Sequence, residues 1–198
     1  AGVDAPRYRI DWAQADPPLV AVEPSGDEVA RHAPALAAAY SDPRNAPLLG
    51  HSEPLTPRDV VAHYAGLARA GDHGFLVTDG AGALIGDADL RGVADGAAEF
   101  AFLVAAPARQ GQGLGTRIAT MVHAFAFQIL GLGRVYASVI PTNTGSLRVF
   151  EKLGYARDDS PAARAYADEP GDVTLAIDRA TFTRVCAAQV PALRLRPR

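Results

Sequence analysis

Three glycines at alternate positions, Gly111, Gly113 and Gly115, stand between an apolar run, Phe100 to Val104, and a segment whose apolar residues recur at helical spacing. A strand that enters a glycine-rich turn and leaves as a helix gathers backbone N–H groups at one point. The first turn of a helix has donors without intrahelical partners, and glycine lets a ligand come close to the chain. Such a turn cradles an anion. Leu114, Ile118, Met121, Val122, Phe125 and Ile129 follow at spacings of 4, 3, 1, 3 and 4, one buried stripe on a helix. Gly131 and Gly133 supply its stop, and the β-branched stretch Val135 to Ile140 predicts the next strand.

The turn lacks the marks of two common phosphate sites. A P-loop needs Lys and then Ser or Thr after its last glycine, and the residues from Leu114 to Arg117 do not provide them. The dinucleotide fingerprint finds Thr116 where its third glycine belongs, with no acidic residue closing a second strand about twenty residues on.

Gln110-x-x-Gly113-x-Gly115 instead resembles the Gln/Arg-x-x-Gly-x-Gly/Ala acetyl-coenzyme A signature of the GNAT N-acetyltransferase superfamily. About thirty residues on, Asn143-Thr144-Gly145-Ser146-Leu147-Arg148-Val149-Phe150-Glu151-Lys152-Leu153-Gly154-Tyr155 is similar to that family's second block. The resemblance extends more loosely from Val20 to Arg179. The stretch Ser41 to Val60 and the Asn-x-x-Ser block are similar to the branch that acetylates the N-termini of ribosomal proteins, on serine or alanine. It implies an α/β fold, a mixed and mainly antiparallel twisted sheet flanked by helices, with residues 19–198 as one acetyltransferase domain behind an N-terminal arm, 1–18. It also implies that the strand holding Ala101 to Val104 splays from Val135 to Ile140, so that the pantetheine arm pairs with exposed backbone there like an added strand. The coenzyme A contacts carried over are Phe102, Leu103, Val104, Arg109, Gln110, Gly111, Gln112, Gly113, Leu114, Gly115, Thr116 and Asn143.

The implied chemistry is direct attack of a neutral amine on the acetyl-CoA thioester. The acceptor is a protein or peptide N-terminus or a small-molecule amine, and no metal is required. Many members protonate the departing thiolate with a Tyr in the second block, and Phe150 occupies that position here. A thiol titrates near 8.5, so its anion leaves readily without an acid. Ser146 is a possible substitute, through its hydroxyl or a water, or else an early-helix residue bonded to its own backbone. Tyr155 reads as a core residue. Asn143 is a helix N-cap, a coenzyme A contact, or both. Glu99, on the strand that leads into the turn, resembles the Glu in the corresponding strand of the ribosomal branch and is the candidate base, working through water; its alternative is a solvated strand edge. Asp87 and Asp89 share a strand face and either attract a cationic amine or lie on a surface hairpin. A non-catalytic acyl-CoA binding or sensor module remains the alternative function. The site without a strong base favours an α-amine, which titrates near 8, over a lysine amine near 10.4.

Composition sets the remaining bounds. At 198 residues, 48% hydrophobic and 21% charged, the chain can bury a substantial core, and a net charge of −3 offers no basic field for nucleic acid or an acidic membrane. Lys152 is the only lysine against a majority of arginines, the bias of a GC-rich bacterial genome. One cysteine, Cys186, flanked by small apolar residues, reads as a core filler and makes a cytoplasmic location the default. No leader or membrane span is expected. The five histidines show no ligand spacing; His123 is expected half-buried, and His51, by position, near the acceptor pocket. A monomer and a homodimer through residues 180–198 both stay open.

Along the chain, residues 1–18 read as an arm laid over the surface, 19–23 as a first strand, and 27–40 as a helix that Pro34 breaks or kinks. Residues 41–56 read as a loop. Thr56 and Pro57 open a helix that closes before Gly71. Strands at 75–78, 83–91 and 97–104, separated by Asp79-Gly80 and Asp95-Gly96, predict an antiparallel meander. Strand 173–177 and a terminal helix over 180–189 complete the prediction.

Overall fold

The computed structural model describes residues 6–50, 53–105, 109 and 111–198. Among these residues nine strands form a single sheet in the order β7-β8-β6-β5-β4-β3-β2-β1-β9. They are β1 (Tyr8–Trp12), β2 (Leu19–Val22), β3 (His73–Asp79), β4 (Leu84–Ala94), β5 (Ala97–Val104), β6 (Arg134–Val139), β7 (Ala156–Arg157), β8 (Val173–Asp178) and β9 (Arg194–Pro197). Every pairing is antiparallel except β5 with β6. The helices are α1 (Gly26–Ser41), α2 (Pro57–Ala70), α3 (Leu114–Gln128), α4 (Thr144–Leu153), α5 (Pro161–Arg164) and α6 (Arg179–Val185).

Local chemistry accounts for most boundaries. Thr56 and Asp59 form a reciprocal capping box at the start of α2, Pro57 takes the first helical position, and Gly71 ends the helix in the left-handed region. The expected meander is present as β3, β4 and β5, and α3 buries Leu114, Ile118, Met121, Val122 and Phe125 against Ala88, Leu90 and Phe100, whereas Ile129, the last of the expected stripe, caps the helix and is exposed. On the opposite face, α1 and α2 cover Leu76 with Val29, Leu36, Val60 and Leu67. The sheet is therefore sandwiched between two helical layers at its centre.

Four expectations give way. Residues 8–12 are not a surface arm: Ile10 and Trp12 alternate inward and are buried, so the stretch becomes β1 between β2 and β9. Helix α1 runs through Pro34 unbroken, so of the two expected effects the break does not occur; Ser25 and Glu28 fix its start with a second capping box, and Leu36, Ala37 and Ala39 carry its buried face past the proline. The terminal helix stops at Val185, and the chain after it returns as β9 along β1. His123 is fully buried: Nδ1 lies 2.6 Å from the Ala119 carbonyl and Nε2 bonds the Tyr155 hydroxyl, which offsets the loss of water. Burial pulls its imidazole down to about 4, so it stays neutral.

Candidate active site

The central cleft follows from where β5 and β6 part. Their parallel pairing covers only Ala97, Ala98 and Glu99 with Arg134, Val135 and Tyr136; beyond that point the two strands share no register. Two cavities open along the divergence. A groove of about 240 Å³ runs past the glycine turn, and a larger cavity of about 430 Å³ lies on the side of α1 and α2. Leu48, Leu49, Phe102, Asn143 and Ser146 line both.

The groove suits an extended ligand carrying phosphate groups. Gly113 caps α3 with φ of 77° and Gly111 has φ of 81°, and a Cβ at either position would meet nothing within 4 Å. The backbone there is open and left-handed, which glycine alone adopts cheaply. The first helical bond of α3 runs from Arg117 N–H to the Gly113 carbonyl, so the N–H groups of residues 114–116 precede it and point toward the turn. Gly115 serves packing as well, since a Cβ would come 2.9 Å from Cε2 of Phe102. Arg148 and Lys152, one turn apart on α4, add two cations to the groove wall. At the start of α4, Asn143 Oδ1 accepts from Ser146 N–H at 3.2 Å.

Of the residues carried over for coenzyme A, Phe102, Leu103, Val104, Gly111, Gly113, Gly115, Thr116 and Asn143 line the groove. The Leu114 side chain does not, because it is 1% exposed and packs in the core as the first apolar residue of α3. Arg109 lies 3.8 Å from Asp79, and Gln112 is exposed on the turn. Gln110 and His51 fall outside the described residues.

The larger cavity is acidic. Asp87, Asp89 and Arg91 project from one face of β4, in register with Leu103, Ala101 and Glu99 of β5. Asp87 is buried and accepts two phenolic hydrogen bonds, from Tyr40 of α1 and Tyr64 of α2, each 2.8 Å. Burial, then the nearby charge of Asp89, pushes its carboxyl up to about 7 against those hydrogen bonds. Asp89 Oδ2 lies 2.9 Å from His63 Nε2, and this bond raises the imidazole above its ordinary value. Asp89 Oδ1 is buried and has no hydrogen-bond partner among the described residues. Arg91 bonds Glu99 at 3.2 Å and Asp168 at 3.4 Å. Across the cleft, Ser138 of β6 donates to Asp172 at 2.8 Å and accepts from the Asp168 N–H at 3.0 Å.

Glu99 does not reach the cavity wall; it is buried behind Arg91, and burial pushes its carboxyl up to about 7 although the guanidinium opposes this. Ser146 stands where the two cavities meet, Asp87 and Asp89 line the larger one, and Phe150 contributes an apolar wall packed on Phe100 and Phe102. Tyr155 lies in the core against Phe150 and His123. Sequence reading missed Tyr40, His63, Tyr64, Arg91, Arg148, Lys152 and the 168–172 segment. Lys152 carried a usable signal, being the single lysine and one helical turn from Arg148; the others meet only through the tertiary fold.

Comparison with known proteins accords with this geometry. Residues 28–156 match the family model described as "Acetyltransferase (GNAT) domain". A curated relative, "Probable N-acetyltransferase YjcK" of Bacillus subtilis (strain 168), is 38% identical over 77 residues, covering 38% of this chain and 42% of that protein's length. Among solved structures, aminoglycoside acetyltransferase AAC(6')-Ib in complex with coenzyme A superposes with a TM-score of 0.67 at 19% identity, over 84% of this chain and 98% of that one. Mycobacterium smegmatis RimJ in complex with CoA-disulfide gives 0.67 at 19% identity, over 93% and 95%.

Proposed function

The chain belongs to the GNAT acetyltransferase family, and from that membership we propose that it is an N-acetyltransferase, moving the acetyl group of acetyl-CoA directly to a primary amine. The observation that carries this reading is the meeting of the two cavities at Phe102, Asn143 and Ser146. A phosphate-bearing acyl donor in the groove and an amine in the acidic cavity would face each other there, which turns a bimolecular encounter into an aligned one.

The reaction forms one bond and breaks one. The neutral amine nitrogen attacks the thioester carbonyl carbon, the carbon–sulfur bond breaks, the nitrogen loses a proton, and the thiolate gains one. We assign the amine proton to Glu99, reached through solvent because the carboxyl sits behind Arg91; its upward shift to about 7 suits exchange near neutral pH. We assign return of a proton to the thiolate to the Ser146 hydroxyl or to water. In the groove, the N–H groups at the start of α3, with Arg148 and Lys152, would hold the phosphates, and the backbone of Phe102 to Val104 the pantetheine. The acceptor within this reading is a protein or peptide N-terminus, as the resemblance to the ribosomal branch suggests, or a small amine, as the aminoglycoside acetyltransferase neighbour suggests.

A second reading, a module that binds acyl-CoA without turnover, is favoured by Phe150 at the usual Tyr position. Calorimetric titration of acetyl-CoA, with thiol release followed against a panel of amines, separates the readings. Binding with amine-dependent release supports the enzyme, binding without release the module, and absence of binding overturns both.

A further inference from the structure

Resting on that acetyl-transfer reading, we propose that the acceptor is a polycationic amine, a linear polyamine or an amino sugar, and that Asp89 holds one of its ammonium groups other than the one acetylated. Two independent observations lead there. The first is an imbalance of charge: among the described residues Asp59, Asp89, Asp168, Glu169 and Asp172 line the larger cavity, with Asp87 buried beside them and inclined to hold its proton, against a single guanidinium, Arg91, and a single imidazole, His63. Arg91 is already divided among Glu99, Asp168 and, at 3.9 Å, Asp89. A neutral or singly charged acceptor would leave most of this field unmatched.

The second is the unpaired oxygen. The Asp89 side chain is 6% exposed, its Oδ2 is taken by His63, and its Oδ1 has no donor among the described residues. Folded proteins rarely leave a buried carboxylate oxygen in that state. An ammonium group brings three donors and a positive charge, and it fits a carboxylate facing a cavity.

Placement separates this group from the reacting nitrogen. The cavities meet beside Phe102 and Asn143, at the parting of β5 and β6, whereas Asp89 is on β4, with β5 between it and that gap, hence more than one interstrand spacing of roughly 5 Å from it. The second acidic bank, Asp168 to Asp172, is fixed to Ser138 of β6 on the opposite side. An amine acetylated at the junction would thus have carboxylates on both flanks. A molecule with three or more amino groups matches that disposition, with one nitrogen neutral and the others charged. The intervening walls, Leu48, Leu55, Val60 and Ile140, suit the methylenes of a chain or the apolar face of a ring.

The test uses the full chain and measures kcat/KM for thiol release with propylamine, butane-1,4-diamine, spermidine, spermine, a tri-amino sugar, and a peptide with a free N-terminus and neutral side chains. The expected result is a rise on the order of tenfold or more from the monoamine or peptide to acceptors with three amines. That advantage should shrink as salt is raised from low to physiological ionic strength. Asp89→Asn and, separately, Asp172→Asn should raise the KM of the triamine while acetyl-CoA affinity by calorimetry is retained. Preference for spermidine or for the amino sugar identifies which member of the class is taken. A peptide or monoamine turned over as well as the triamine overturns the polycation proposal and leaves acetyl transfer standing. Bound acetyl-CoA with no release to any polyamine also overturns the proposal. Failure to bind acetyl-CoA removes the underlying reading itself.

Discussion

The Tyr40 hydroxyl donates to Oδ1 of Asp87 at 2.8 Å, tying the last turn of α1 to the middle of β4. Burial and the charge of Asp89 push this carboxyl up to about 7 against the bond, so burying Asp87 has a pH dependence whose sign can be worked out. An unfolded Asp titrates near 3.9. The folded state therefore holds the proton longer, and the group's contribution is fully present below about pH 4 and lost as pH rises through about 7. Asp87→Asn should remove that loss. Urea midpoints at pH 4.5, 6 and 7.5 should show the variant gaining on wild type by roughly 1–3 kcal/mol across the range. A constant difference across pH would contradict the assignment. Glu99, shifted in the same direction, leaves a residual slope in both proteins.

The open backbone at Gly113 predicts a binding defect with little effect on folding outside the turn. Gly113→Glu puts a side chain and a negative charge where no atom lies within 4 Å and strains a φ of 77°. Acetyl-CoA affinity should fall at least about a hundredfold, about 2.7 kcal/mol. Arg148→Ala and Lys152→Ala should each weaken it about tenfold, the worth of one charge-assisted contact. Calorimetry reads all three, and unchanged affinity in Gly113→Glu would refute the cradle.

Asn143 holds two proposed roles that one pair of substitutions separates. Asn143→Ala removes the acceptor for Ser146 N–H and should cost about 1 kcal/mol of stability. Asn143→Asp keeps the cap, so thermal stability should stay near wild type, yet its charge faces the groove. If Asn143 contacts the acyl donor, the Asp variant binds acetyl-CoA several-fold more weakly at unchanged melting temperature. A helix cap alone predicts no such split.

Phe150→Tyr adds a hydroxyl at the edge of the larger cavity. Since a thiolate near pKa 8.5 departs without help, kcat at pH 7 should change by no more than about threefold. A larger increase would show that thiolate protonation limits the proposed transfer.

The fold was legible where local chemistry dictates it. Thr56 and Pro57, the turn pairs Asp79-Gly80 and Asp95-Gly96, and the stripe from Leu114 to Ile129 each fix a feature within a few residues. The expectations that failed depended on distant partners. Ile10 and Trp12 form a strand because β2 and β9 flank them, and β9 follows nearly two hundred residues later. The site divides the same way. The groove is one strand, one turn and two helix starts, each with its own signature. The larger cavity joins Tyr40, Tyr64 and Asp87, residues from three elements with no common spacing, and Arg91 hides Glu99 behind a contact no pattern announces.

The short seam between β5 and β6 gives the molecule a vertex. Only three residue pairs join the two blades of the sheet there, with the Gly133 N–H bonded to the Gly96 carbonyl just outside them at 2.8 Å. One blade carries Asp87 and Asp89, and the other is tied through Ser138 to Asp168 and Asp172. The angle at this vertex therefore sets the width of the jaws, as the pivot of a pair of pliers does. A bulky residue at Gly96 or Gly133, remote from both cavities, would alter that angle and with it the spacing of the two acidic banks.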